Sequence, residues 1–215
     1  MGTSGYCERL DLSFWAEPLN AWTNLAFLLA ALLAFDLWRR QKAADWPVAA
    51  LIVVVLLIGI GSFLFHTMPA PWSRQADVIP IRLFAFGYFA LAVCRFVGLG
   101  LLGTALATAL FLAAFYVVTG PAEFLLPSAI RGATAGYATY LVALLAIAAL
   151  LAGKDRQTAM RLAVAAAVFV AALVFRSIDR AACQAFPYGT HFLWHVLNAA
   201  VLYFLLRAAV LARKA

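Results

Sequence analysis

Residues 47–66 read PVAALIVVVLLIGIGSFLFH, and no charged side chain occurs before the closing histidine. A helix rises about 1.5 Å per residue, so this run is long enough to cross the roughly 30 Å hydrocarbon core of a bilayer. An uncharged stretch of that length reads as a transmembrane helix. The rest of the chain agrees. Of 215 residues, 67% are hydrophobic and 12% charged, whereas soluble domains sit near half apolar and about a quarter charged. Six further apolar runs lie at about 19–37, 78–97, 101–118, 133–151, 162–175 and 191–211. The expected fold is therefore all-α: one polytopic domain over residues 1–215 with seven transmembrane helices.

Charge sets the orientation. The net charge is +7, but the basic residues mostly fall in the gaps between apolar runs. They carry no interleaved aromatics of the kind that binds nucleic acid, so no nucleic-acid partner is expected. With the N-terminus outside, ten basic residues face inward: Arg39, Arg40, Lys42, Arg95, Lys154, Arg156, Arg161, Arg207, Arg213 and Lys214. Six face outward: Arg9, Arg74, Arg82, Arg131, Arg176 and Arg180. The positive-inside rule then favours an outer N-terminus and an inner C-terminus, as an odd number of spans requires. The opening MGTSGYCERLDLSFWAEP lacks the basic and apolar regions of a cleavable signal peptide, so the first span is expected to direct insertion.

This topology brings the costly residues to one level. Ser62 and His66 close the second span, and the third begins just after Asp77. His191 and His195 open the seventh, and Glu8, Asp11 and Glu17 lie in the outer N-terminal segment. The chain has three histidines in all. His191 and His195 are one turn apart and share a helix face. With His66 from another helix end they make a facial set with an open fourth position, which is how a catalytic zinc is held. Each histidine alone reads as an ordinary interfacial side chain; together, at membrane depth, they read as a site. Asp77 is placed to accept a proton from water or to orient a ligand. Ser62 has two readings. It donates back to the Ile58 carbonyl, as serines in membrane helices do, or it donates to a developing oxyanion.

These residues resemble a known family. GSFLFH, Asp77 eleven residues after His66, and HFLWH at 191–195 resemble the alkaline ceramidases, part of a wider group of seven-helix membrane hydrolases and receptors. YCERLDLSFWAEPLNAWTN at 6–24 is similar to that family's opening, and SIDRAACQAF at 177–186 to its Ile-Asp-x-x-x-Cys segment. The resemblance implies a zinc-dependent amidase that hydrolyses ceramide-like N-acyl lipids to sphingoid base and fatty acid. It implies zinc on His66, His191 and His195, and catalytic roles for Ser62 and Asp77. It also implies calcium on Glu8, Asp11 and Glu17, which are hard oxygen ligands. Gly5 stands where that pattern has an acidic ligand. The other reading of Glu17 is a hydrogen bond near Asn20 and Asn24. Cysteines at both matching family positions, on the outer side of the membrane, imply a Cys7–Cys183 disulfide.

Two other functions fit the same residues: a seven-helix receptor-like protein, and a lipid esterase or phospholipase-type remodeller with the same zinc site. The partners expected are the bilayer and a lipid substrate. The Ala/Leu-rich, Arg-biased composition suggests a bacterial inner membrane with the site facing the periplasm; in a eukaryote the same topology faces the ER or Golgi lumen. Trp15, Trp22, Trp38, Trp46, Trp72 and Trp194 are read as an interfacial aromatic belt. Arg176, Asp179 and Arg180 are read as an ion-paired loop, with a lipid-headgroup contact as the alternative. Residues 120–132 are expected to dip into the interface.

Overall fold

The computed structural model describes residues 5–41, 44–126 and 133–212. Lys42, Arg131, Arg213 and Lys214, used above for orientation, lie outside these residues, as does the end of the 120–132 segment. Among the described residues there are helices and no strand. Helices α1 (Pro18–Thr23) and α2 (Leu25–Arg39) make the first span, followed by α3 (Trp46–Thr67) and α4 (Pro71–Ala92). A π-helical turn, Val93–Val97, extends α4. Then come α5 (Leu101–Val118), α6 (Ala133–Leu151), α7 (Arg156–Ala182) and α8 (His191–Leu211). Seven of the resulting segments are long and apolar enough to cross a membrane. The protein is an integral membrane protein built as a helical bundle.

Local chemistry sets the helix ends. The Asp155 carboxylate accepts from the Thr158 N–H at 3.0 Å and caps α7. Pro71 occupies the first turn of α4, where its missing N–H costs nothing. The Ser73 hydroxyl accepts from the Ala70 N–H at 2.9 Å and so holds that turn. The fourth helix therefore starts seven residues before the expected boundary, and Asp77 sits in its second turn rather than ahead of it. The polar run PWSRQAD looked like a loop because its apolar face is narrow. Likewise α7 extends well beyond 162–175 at both ends, carrying Arg176, Asp179 and Arg180 on a helix rather than a loop.

Helix α3 packs along α4, and α7 along α8, while α2 touches both α3 and α8. The core between them is rich in small residues, among them Ala30, Ala31 and Ala34 on α2 and Ala199, Ala208 and Ala209 on α8. Small side chains let membrane helices approach closely, where van der Waals packing replaces the hydrophobic drive. Helix α5 is peripheral: Phe115 is its one buried residue. Large apolar side chains such as Leu29, Leu32, Leu110 and Val142 stay exposed around the bundle, as lipid contact permits.

Candidate metal centre

The last turns of α3, the first turn of α8 and the N-terminal segment meet at one end of the bundle. Gly61 makes the α3–α4 crossing close. A Cβ there would run into the Ala76 carbonyl and the Asp77 N–H. One residue on, Ser62 is buried at 4% exposure and shares a cavity of about 100 Å³ with Asp77, His191 and His195.

The three histidines are 1–2% exposed, with ring centroids 4.7–5.3 Å apart. Each offers a ring nitrogen, and the three nitrogens lie within 4.8 Å of one another. Their other hydrogen bonds decide which nitrogens are free. His66 Nδ1 lies 2.5 Å from Glu17 Oε2. A carboxylate only accepts, so Nδ1 carries the proton and Nε2 keeps its lone pair. Thr23 donates its hydroxyl hydrogen to the Leu19 carbonyl at 2.8 Å. It must then accept from His195 Nδ1, 3.0 Å away, which again leaves Nε2 open. His191 stacks on Tyr6 at 3.9 Å between centroids, and its Nδ1 is buried without any hydrogen-bond partner. Buried polar atoms without partners are costly. Two oriented imidazoles beside a third with an unsatisfied nitrogen are a donor set that fits a divalent zinc-type ion.

The acidic N-terminal residues do different work. Burial would raise the Glu17 carboxyl, but the hydrogen bond from His66 and the hydrogen bond and charge of Arg9 outweigh it and hold its pKa below the usual carboxylate range. Arg9 Nε pairs with Glu17 Oε1, and Arg9 Nη2 donates to the His66 carbonyl at 2.6 Å. Asn20 Nδ2 donates to Glu17 Oε2 at 3.0 Å, so the expected bond near Asn20 is present. Glu8 accepts from the Leu19 and Asn20 N–H groups at 2.6 and 2.8 Å, closing the start of α1. Asp11 is exposed and accepts from Ser13 N–H at 2.8 Å. Glu8 and Glu17 both meet Asn20, while the exposed Asp11 stands apart from them. Among the described residues the three histidines are the one group gathered as metal ligands could be. The calcium expectation finds no common site: the cation against Glu17 is the guanidinium of Arg9.

Several contributors were not anticipated. The Asp179 carboxylate accepts from the N–H groups of Cys7 (3.1 Å), Thr190 (2.7 Å) and His191 (2.9 Å). It ties α7 and the N-terminal segment to the start of α8, next to the Cys7–Cys183 disulfide. Gly189, at φ +66°, permits this junction, because a Cβ there would meet Asp179 and Cys7. The ion-paired-loop reading of Asp179 is thus replaced by a buried helix anchor. Trp194 is not part of a belt. It is 4% exposed and packs on Tyr137 at 4.7 Å, with Arg176 above both rings at 5.1 and 5.6 Å. An acidic residue inside an apolar helix was the available signal for Asp179. Arg9 and Thr23 gave none, since their partners are far away in the chain or on another helix.

Comparison with curated proteins finds no match, and comparison with solved structures finds none. The family model described as Ceramidase matches residues 3–214. That match covers nearly the whole chain, including the N-terminal segment and the start of α8 that meet around the histidines, and the protein belongs to the ceramidase family.

Proposed function

We propose that the protein is a single-domain, zinc-dependent membrane amidase that hydrolyses ceramide-like N-acyl lipids to a sphingoid base and a free fatty acid. The observation that carries this reading is the buried triad of His66, His191 and His195, of which His191 and His195 share one cavity with Ser62 and Asp77. Zinc on the three imidazoles would supply Lewis acidity to the amide carbonyl and to water at an open position. Glu17 and Thr23 fix the rings of His66 and His195 through their Nδ1 atoms. Asp77 takes a proton as the water oxygen bonds to the carbonyl carbon, and returns it to the nitrogen as the C–N bond breaks. Ser62 donates its hydroxyl hydrogen to the oxygen on which negative charge develops.

The surrounding space suits a lipid. A second cavity of about 80 Å³ shares Ile58, Ile81, Tyr137 and Asn198 with the histidine cavity, and is otherwise walled by apolar side chains such as Phe84, Phe111 and Leu202. A polar head at the histidines and a hydrocarbon chain below them match this change of lining. The charge distribution and the disulfide favour a site outside the cytoplasm, in the periplasm of a bacterium or in the lumen of a secretory compartment.

The test is product analysis. Zinc-loaded protein in detergent, given ceramide, should release sphingoid base and fatty acid in equal amounts, and Ser62→Ala and Asp77→Asn should each slow release by at least about a hundredfold. Ceramide left intact by zinc-replete protein would refute the reading.

A further inference from the structure

We propose that Arg74, Arg82 and Arg176 form a cationic subsite at the mouth of the histidine cavity, and that it takes the phosphate of a phosphorylated N-acyl lipid substrate. This rests on the lipid-amidase reading above and narrows its substrate class. Arg74, Val78 and Arg82 recur every four residues along α4, so they form one stripe on the helix. That stripe lines a cavity of about 570 Å³ whose walls include Phe115, Tyr116, Tyr137 and Tyr140 from α5 and α6. Arg74 and Tyr137 also line the histidine cavity, and so does Arg176. The two cavities therefore share a wall, with guanidinium groups on both sides of it.

The three charges are poorly answered by the protein. Arg82 lies eleven residues past the start of α4, about 16 Å along the helix axis. Among the described residues, none of the three forms an ion pair. Arg82 rests over the Phe115 ring at 5.5 Å. Arg176 rests over Tyr137 and Trp194 and donates to the Thr134 hydroxyl at 3.3 Å. Asp77 shares the histidine cavity with both Arg74 and Arg176 and answers part of that charge without forming an ion pair with either; Arg82 does not line that cavity. Glu123 also lines the larger cavity, together with Arg74 and Arg82, and has an interaction of its own. Arginines in membrane helices are expensive and mark the paths of charged ligands. Guanidinium groups grip phosphate through paired N–H donors, and aromatic faces hold them flat for that contact. A neutral ceramide head offers only hydroxyls. A phosphate on the primary hydroxyl of the sphingoid base stands a few bonds from the amide nitrogen. Held at the mouth, it leaves the amide over the histidines.

The test separates binding from turnover. Fluorescent sulfonamide analogues of ceramide and of ceramide 1-phosphate, which do not hydrolyse, are titrated in neutral micelles into the zinc-loaded protein. Wild type should bind the phosphorylated analogue at least about tenfold more tightly. In the R74Q/R82Q double variant the preference should fall to within about twofold, while R82K, which keeps the charge but loses the paired N–H donors, should fall between wild type and the double variant. Zinc content at the wild-type level shows that each variant is folded. Equal binding of the two analogues by wild type, or a preference that survives R74Q/R82Q, would overturn the subsite. Displacement of the phosphorylated analogue by equimolar phosphatidylglycerol or inorganic phosphate would overturn its assignment to substrate. If neither ceramide nor its phosphate is hydrolysed while the binding preference holds, the amidase reading fails and the subsite stands.

Discussion

Two arginine–carboxylate pairs lie at opposite ends of the bundle, and they differ in what they touch. At one end Arg95 grips both oxygens of Asp45 at 2.7 and 2.8 Å and donates to the Ala209 carbonyl at 2.9 Å. It joins the start of α3 to the π-helical turn after α4 and to the end of α8. At the other end Arg9 pairs with Glu17, and the second oxygen of Glu17 meets His66. The first pair ends on backbone and binds helices together. The second ends on an imidazole and fixes which nitrogen is presented to the cavity. The chemistry of the pair is the same, and the third partner decides whether it serves structure alone or the site as well.

Substitutions can break or sharpen that contrast. The largest effect is expected at the histidines themselves: His195→Ala should lose bound zinc and cut ceramide hydrolysis by at least about a thousandfold, read by elemental analysis and product release on the same sample. The two pairs should then separate. Glu17→Gln should weaken zinc binding by about 10- to 100-fold in a chelator competition, because partners of metal-binding histidines contribute at that scale. Asp45→Asn should leave zinc affinity within about twofold of wild type, yet destabilise the fold by about 2 kcal/mol, because it takes the charged partner from a half-buried arginine. Similar losses of zinc affinity in both variants would erase the distinction. Arg9→Met should weaken zinc by about fivefold, since it acts on His66 only through Glu17 and the His66 carbonyl. The smallest effect is expected for Thr23→Val, which removes a neutral acceptor from His195 and should cost about threefold in zinc affinity.

The contrast also shows what can be read from a sequence. The seven spans and the His-x-x-x-His face were legible because each depends on local spacing: about 20 apolar residues for a span, and one helical turn for the pair at His191 and His195. The convergence of His66 followed from topology. What escaped was set by partners distant in the chain. Arg9 lies between Glu8 and Asp11 in an acidic stretch and reads as one more surface charge; only the fold turns it against Glu17 and the end of α3. The family resemblance implied calcium on the three acids, whose types suit it, but nothing in their spacing shows that Glu8 closes α1 while Asp11 faces outward. Asp179 was visible as an acid in an apolar helix, yet its three N–H partners come from two other segments. The start of α4 was missed because its first turns are polar, although Pro71 marks a favourable first helical position.

The central claim is that three imidazoles hold one zinc at this end of the bundle. X-ray absorption at the zinc edge, on protein loaded with one equivalent of the metal, tests it most directly. The account predicts a first shell of three imidazole nitrogens and one oxygen ligand at about 2.0–2.1 Å, with this three-imidazole spectrum lost from His195→Ala, which should not retain the metal. A shell dominated by carboxylate oxygen, or one unchanged by His195→Ala, would contradict it.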